Sequence, residues 1–537
     1  MKISFFGGAR AQTGSCYLLE VAGQNILIDC GLQQGCDEFN DNGLEFYASR
    51  IDQVLLTNAH IDSSGRLPLL VQEGYYGRIV TTPTTKKLMR ILLKEVADLR
   101  TNEAWWRNQK GQRSGIPPHD PIYSMTDVVV AMQQVETEEF GVKFPVCEGV
   151  EARFLPSAHM PGAAIIEIWA TEGAETRKIV VSGDLGNKNN SFTGMPSLME
   201  EADFLLMSSD SADKDEEIKE DALQLDEFAD VIDMTLAHAG NVIIPVNAVG
   251  RVQEVLSALR ILKQEKKIKS VPQFKVYLDS FLAEDSVRLF EGDRTTDLGK
   301  VDISQIQGEN NPFVFDDLVL CKSVEESRAL NFDKTPKVIL AGSGMCDRGR
   351  VQHHLKHNLW RKESTVMMVG HLGDGSFGRR LLEGMRSVQL FGEEVMVRAK
   401  ILDFRCTSGH ADRGQLLSWL GQFKEKPKMI FVVQGHDFVA RDFAQHLNAC
   451  GYTARAPLVK EVYDLLETKV EQEGIEHEVM ALSRRGRYSS LPFIRLQDNI
   501  RELDIMVKEG RLHTGEEFDA VSRAVREVIN IWKKEDK

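Results

Sequence analysis

The sequence predicts an α/β fold in three parts: a layered α/β domain, a second α/β unit with a parallel sheet set into it, and a helical C-terminal extension. Three observations predict it. In the first third, short β-rich runs alternate with turns and helical stretches, the pattern of an α/β or layered α+β domain. From about Ser211 single buried strands alternate with amphipathic helices, as a parallel sheet requires. From about Glu467 only helical periodicity remains.

Lys2–Phe6, Asn25–Asp29, Gln53–Leu56, Ile79–Thr81, Ala164–Ile168 and Lys178–Val181 read as strands bounded by glycine or polar residues, with a helix over Thr84–Ala97. The acidic segment Asp213–Glu217 leads into a helix and opens the second unit. Asn241–Val246, Phe274–Leu278 and Lys337–Leu340 read as its buried strands. Val252, Val255, Leu256, Leu259 and Leu262 form the apolar stripe of a helix between the first two. After about Ser408 the chain returns to the first domain. The expected boundaries are 1–209, 210–400, 401–466 and 467–537. In the last segment, Leu496, Ile500, Leu503 and Val507 form one stripe, and Phe518, Val521, Val525, Val528 and Trp532 another. Gly510 separates them, and Thr514 with Glu517 has capping-box spacing, so a helical hairpin is expected.

At 537 residues the chain is long enough for two or three domains. Its 42% hydrophobic and 27% charged residues are those of a soluble globular protein. The eight cysteines form no Cys-x-x-Cys pair, which points to a reducing compartment and away from a disulfide framework or zinc ribbon. Met1–Gly8 is too short and too soon interrupted to read as a signal peptide, and no apolar run is long enough to span a bilayer. A cytoplasmic protein without a membrane segment is expected. The formal charge of -15 argues against nucleic-acid binding driven by net charge but leaves room for a local basic groove.

Chemistry-bearing residues gather in a few segments. After the strand Gln53–Leu56 comes Thr57-Asn58-Ala59-His60-Ile61-Asp62-Ser63-Ser64-Gly65. Imidazole and carboxylate are good zinc ligands, so His60 and Asp62 qualify, whereas the carboxamide of Asn58 and hydroxyl of Ser63 are poor ones. Glycine-rich turns occupy Phe6–Tyr17 and Asp29–Gly35. Pro156–Gly162 carries His159, Val181–Gly186 carries Asp184, and Met207–Ser211 carries Ser208 and Asp210. Ile244–Glu254 carries Arg251, and Ser343–Cys346 is followed by Gly349-Arg350 and His353-His354-Leu355. Gly375–Arg379, Ser408–Asp412 with His410, and Val433–His436 with Gln434 complete the set.

In order and spacing, over roughly Met1 to Glu461, these segments resemble the β-CASP branch of the metallo-β-lactamase superfamily. That branch consists mostly of RNA-processing nucleases, including ribonuclease J and the nuclease subunit of the cleavage and polyadenylation machinery. The resemblance implies a metallo-β-lactamase αββα sandwich interrupted by an α/β β-CASP domain. It implies a two-zinc site, one metal on the positions of Asn58, His60, His159 and Asp184, the other on those of Asp62, Ser63, Asp184 and Gln434. It implies that Asp62 and His410 stand at catalytic positions and that the residue at Ser208 is a glutamate orienting that histidine.

This chain departs from the pattern at Asn58, Ser63 and Gln434, where histidine ligands are replaced, and at Ser208, where the glutamate is replaced. A full dinuclear zinc centre is therefore not expected, and neither is cleavage by the two-metal route. His60, His159 and Asp184 remain as a two-His, one-carboxylate set for one Zn or Mn. The oxygen donors of Asn58, Asp62, Ser63, Asp184, Asp210 and Gln434 would suit a harder cation such as Mg²⁺. The plain alternative is a vestigial polar pocket held by hydrogen bonds, with Asp62 and His410 as relics.

Arg251, Arg350 and Arg379 lie inside the matched signatures and are expected to contact RNA phosphates. Arg107, Lys110 and Arg113 read equally well as a solvated loop, Trp105-Trp106 as its anchor or a base-stacking pair, and Arg484–Tyr488 as a solvated basic patch. Three functions follow in order: a non-catalytic pseudo-nuclease that binds RNA or scaffolds a partner, a single-metal hydrolase on His60, His159 and Asp184, and an assembly protein acting through the C-terminal helices. A homo- or hetero-oligomer through the β-CASP or C-terminal region is expected, since the stripe ending at Trp532 needs a packing partner.

Overall fold

Apolar residues at every second position build two sheets that pack face to face. In a computed structural model of the chain, residues 1–34, 37, 42–112, 118, 120–187, 194–213, 221–246, 251–280, 285, 287, 313–370, 372, 376–404, 409–476 and 522–523 are described. The first sheet has eight strands, in the order Lys469–Gln472, Val462–Asp464, Lys2–Gly7, Cys16–Val21, Gln24–Ile28, Gln53–Leu55, Arg78–Thr81 and Val135–Thr137. The second has seven, in the order Ala454–Arg455, Met429–Val433, Phe204–Ser208, Glu175–Val181, Ala164–Glu172, Val150–Pro156 and Lys143–Cys147.

Aromatic rings fill the space between the two sheets. Phe5 of the first lies 5.2 Å from Phe431 of the second, and Phe431 lies 4.9 Å from Tyr463, which returns to the first. The outer face of the first sheet packs Leu27, Val54 and Ile79 on Leu88, Leu92 and Val128 of the helices Pro83–Gln112 and Met125–Gln133. The outer face of the second packs Val180, Leu205 and Val432 on Leu416 and Phe443 of the helices Arg413–Leu420 and Asp437–Ala449. The layers run helix, sheet, sheet, helix. The helix expected over Thr84–Ala97 continues to Gln112, because no proline follows and Leu99, Arg100, Glu103 and Ala104 all favour helix.

The inserted unit has a six-stranded sheet, Leu318–Leu320, Lys275–Asp279, Lys337–Ala341, Val242–Pro245, Thr365–Met368 and Lys400–Asp403, with every pairing parallel. A parallel sheet needs cover on both faces. The helices Asp221–Ala237 and Arg251–Gln264 supply one face, through Phe228, Ile232, Leu256 and Leu259. The helices Arg350–Asn358 and Phe377–Leu382 supply the other, through Leu355 and Leu381. The strand Lys400–Asp403 belongs to this sheet, so the boundary expected after residue 400 falls at its start. The strand Lys469–Gln472 still pairs with Val462–Asp464, past the boundary expected after residue 466. The chain divides into two units, Met1–Gly474 and Ile475–Lys537. Apart from the helical residues 522–523, the expected C-terminal hairpin lies outside the described residues, as do Arg484–Tyr488, Asn247–Gly250, His371, Gly375, Ser408 and Arg113. No helix among the described residues is long and apolar enough to cross a membrane.

Asp279 ends a central strand of the inserted sheet and ties its elements together. Its carboxylate takes Nη1 of Arg350 at 2.5 Å, the Ser327 hydroxyl at 2.5 Å and Nε2 of His354 at 2.6 Å. Burial alone would raise this carboxyl, but those bonds outweigh it and hold it below the ordinary aspartate value. Arg350, expected at RNA phosphates, therefore has its guanidinium engaged by Asp279 and the Cys321 carbonyl. Asp279→Ala would leave the half-buried Arg350 guanidinium and the buried His354 imidazole without their carboxylate partner. It is expected to destabilise the protein by about 3–5 kcal/mol, read as a lower urea midpoint.

Candidate functional site at the strand ends

The strands ending at Pro156, Val181, Ser208 and Val433 run in one sense, through the parallel pairings of the second sheet and its antiparallel strand between Val150–Pro156 and Glu175–Val181, and the first-sheet strand ending at Leu55 leads into the first matched loop. The loops leaving them meet: Asn58, His60, Asp62 and Ser63 lie on the first, His159, Asp184 and Gln434 on three others, and Ser208 ends its strand. Backbone bonds hold the first loop in place. The short helix Ile61–Ser64 is anchored through its carbonyls: Ser15 N–H donates to Asp62 at 2.8 Å, Cys30 N–H to Ser63 at 2.8 Å and Leu32 N–H to Ile61 at 2.8 Å. Gly31 makes this approach possible, since a Cβ there would lie 1.5 Å from the Asp62 carbonyl oxygen. Asp29 joins the two strand ends below, accepting from Thr57 N–H and hydroxyl and from the Ser15 hydroxyl.

Asp184 sits at the centre. The backbone N–H of His60 donates to Oδ1 of Asn58 at 2.8 Å. An N–H can only donate, so this bond fixes the Asn58 amide with its Nδ2 toward Asp184, 3.1 Å from Oδ2. On the other side Nε2 of Gln434 lies 3.3 Å and the Ser208 hydroxyl 3.5 Å from Oδ1. Gln434 is held there in the left-handed region, with its N–H donating to the Gly8 carbonyl at 2.7 Å. Burial first, and then Asp210, push the Asp184 carboxyl up to about 7, while Asn58 and Ser208 pull it down. Burial likewise puts Asp62 at about 7 and Asp29 at about 8.

Three imidazoles form the other half of the site. The ring of His159 lies 5.0 Å from that of His60 and 4.3 Å from that of His410. Desolvation in the pocket lowers half-buried His60 to about 4, with His159 contributing second. His159 Nδ1 meets the Gly409 carbonyl at 2.9 Å, so that nitrogen carries the proton and Nε2 presents a lone pair. Nε2 is buried and has no hydrogen-bond partner among the described residues. Burial also lowers His159, and the cation of Arg251 adds to it.

One residue does what the sequence reading assigned to no side chain. Asp210, two positions after Ser208, places Oδ2 3.4 Å from Nε2 of His410 and receives Nε2 of Gln12 on Oδ1. His410 therefore keeps a carboxylate partner although Ser208 cannot serve. The only signal was a carboxylate close behind the substituted position.

The remaining expectations separate. Arg251 approaches Gly409 and pairs with Glu254 at 2.5 Å. Arg379 pairs with Glu383 at 2.9 Å on an exposed helix surface. Ser63 points toward Ser15, with their hydroxyls 3.4 Å apart, and not toward Gln434. Trp105 is half exposed, and the side chains of Trp106, Arg107 and Lys110 lie outside the described residues.

A two-metal centre does not fit this donor set. The carboxylate that would bridge two ions accepts from two amides and a hydroxyl, and two positions that would supply imidazole point N–H groups into the site. His60 and His159 of the expected single-metal set lie with ring centroids 5.0 Å apart, and among the described residues no group of three or more His, Cys, Asp or Glu stands close enough together to hold a metal ion.

Comparison with known proteins agrees with the architecture. Residues 9–141 match the metallo-beta-lactamase superfamily, 252–381 the Beta-Casp domain, and 394–457 the Zn-dependent metallo-hydrolase RNA specificity domain. The chain is 33% identical over 433 residues to "Ribonuclease TTHA0252" of Thermus thermophilus, covering 80% of this chain and 93% of that one. It is 26% identical to "Transcription termination factor FttA" of Methanocaldococcus jannaschii, covering 83% and 68% of the two chains. The same factor from Pyrococcus abyssi is 24% identical, with 85% and 70% covered. With this relationship, the three matched domains and the two-layered sandwich around an inserted parallel sheet, the chain belongs to the β-CASP family of RNA-processing nucleases within the metallo-β-lactamase superfamily.

Proposed function

We propose that this chain binds RNA in the cleft lined by Arg251, His159 and His410 and does not cleave it by the two-metal route. The observation that carries the reading is Asp184, whose oxygens accept from Asn58, Ser208 and Gln434 where family members would place metal. RNA is the ligand class because relatives include a protein named a ribonuclease. Arg251 provides a cation for phosphate beside the histidines. A second reading, a hydrolase with an altered site, is favoured by the retained Asp210–His410 pair, since a carboxylate-oriented imidazole can serve as a general acid.

Protein purified without chelator is expected to carry only trace zinc and manganese by mass spectrometry. Asn58→His, Ser63→His and Gln434→His together are expected to restore zinc binding, and stoichiometric zinc in the unsubstituted chain would overturn the reading.

Fluorescence anisotropy is expected to show binding of single-stranded RNA without turnover and weaker binding of DNA of the same sequence. Arg251→Glu is expected to weaken RNA binding by about 10-fold. Hydrolysis abolished by Asp184→Ala would establish the second reading instead.

The desolvated carboxyls set a pH dependence. Asp29, Asp62 and Asp184 hold protons in the fold up to about 8, 7 and 7, against an ordinary value of 3.8. Their stabilising contribution is present at low pH and lost as pH rises through those values. His60 acts oppositely, but its cost has vanished once pH exceeds its ordinary value of 6.5. The denaturant midpoint is expected to fall between about pH 6 and about pH 8, and to fall less in Asp184→Asn.

A further inference from the structure

The helix Arg350–Asn358 of the β-CASP domain buries Val351, His354, Leu355 and Asn358. Its other side carries His353, Lys356 and His357, of which His353 is exposed. Phe332, 76% exposed, meets His357 edge to face with ring centroids 5.7 Å apart. His357 lies one helical turn from His353. The ring of His353 stacks flat on Phe391, at 4.3 Å and 14°. Phe391 is itself 53% exposed. Phe332, His357, His353 and Phe391 thus form a row of rings across the surface. Lys356 rises beside it, with Nζ 6.0 Å from the Phe391 ring and 2.7 Å from Glu393. Arg328, exposed on the neighbouring helix Val324–Leu330, lies close enough to disfavour a charge on His353.

Phe391 occupies a position that suits few side chains. It and Gly392 form the two-residue turn between Ser387–Leu390 and Glu393–Met396, with φ of 52° and 80°. Such turns favour Asn-Gly or Asp-Gly, and a bulky aromatic at positive φ is strained. The turn nonetheless presents a large apolar ring at the surface. Burial and the nearby cation Lys356 keep His357 below its ordinary value, and burial does the same for His353 first of all, so both rings are neutral at pH 7.

Rings spaced along a surface and flanked by cations are the arrangement that takes successive bases of a single strand, because every base offers a π-face. A protein-docking hot spot would instead be a packed apolar pocket, whereas Phe332 and Phe391 stand largely exposed. We propose that the row Phe332–His357–His353–Phe391 is a second contact for single-stranded RNA, with bases stacking on the rings and phosphates meeting Lys356 and Arg328. The inference rests on RNA being the ligand class but not on RNA occupying the cleft.

The full chain is titrated with fluorescein-labelled oligouridylates of about 8 and about 25 nucleotides, the shorter within a single stacking site. The variant combines Phe332→Ser with Phe391→Asn, the latter chosen because asparagine relaxes the turn and keeps the hairpin. The row predicts that the longer RNA binds the variant about 10-fold more weakly, while Arg251→Glu weakens both lengths. A 4-thiouridine oligonucleotide should crosslink to the peptide containing Phe391. Loss of long-RNA affinity in the row variant with no effect of Arg251→Glu would support the row and refute the cleft. Unchanged long-RNA affinity in a variant with an unaltered circular dichroism spectrum would overturn the row. So would a change in molar mass by light scattering at unchanged RNA affinity, which would make the surface a protein contact.

Discussion

A carboxylate buried at the meeting point of several loops must find hydrogen-bond donors or a cation, and Asp184 has found donors. Leaving such a group unsatisfied costs several kcal/mol, so the loops after several strands are organised around it. Asn58 and Gln434 each stand where a family member presents an imidazole lone pair, and each turns an N–H to the carboxylate instead. The replacements form a set: the neutral amides and the Ser208 hydroxyl donate hydrogen bonds to the buried carboxyl, which keeps its proton up to about 7, where family members hold metal. A single substitution would have left the charge without a full complement of partners.

The other half of the pocket keeps more of its inheritance. His159 lies between His60 and His410, and the carboxylate on His410 comes from Asp210, two residues after Ser208. The pocket thus combines a carboxylate sealed by donors with imidazoles that remain oriented. Under the proposed function, the imidazoles and Arg251 position the RNA, while the amides and hydroxyl on Asp184 take the oxygens that a metal would need.

Much of this was legible before the fold was. The alternation of strands and helices predicted both α/β units, and the order of the motifs predicted their nesting. Asn58, Ser63, Ser208 and Gln434 were visible as departures because residue type alone decides whether a side chain can ligate zinc. Geometry decided the rest. Sequence spacing could not show that Arg350 faces the buried Asp279, because the two are 71 positions apart and meet only when the parallel sheet forms. Nor could it show that Asp210 reaches His410, since the extra reach comes from the curve of the loop. The segment boundaries slipped for a related reason: Lys400–Asp403 and Lys469–Gln472 are edge strands with weak apolar patterns, assigned to their sheets by pairing rather than by composition.

The pairing of Lys2–Gly7 with Val462–Asp464 has a consequence for biosynthesis. The first strand emerges from the ribosome hundreds of residues before its neighbour exists. Until then the opening sheet has an uncovered edge, with main-chain groups that could pair with another chain. The inserted sheet contains all its strands between Val242 and Asp403 and can close while synthesis continues. The interrupting domain is therefore positioned to be the first finished part of the molecule, and the outer domain, although begun first, the later one to seal.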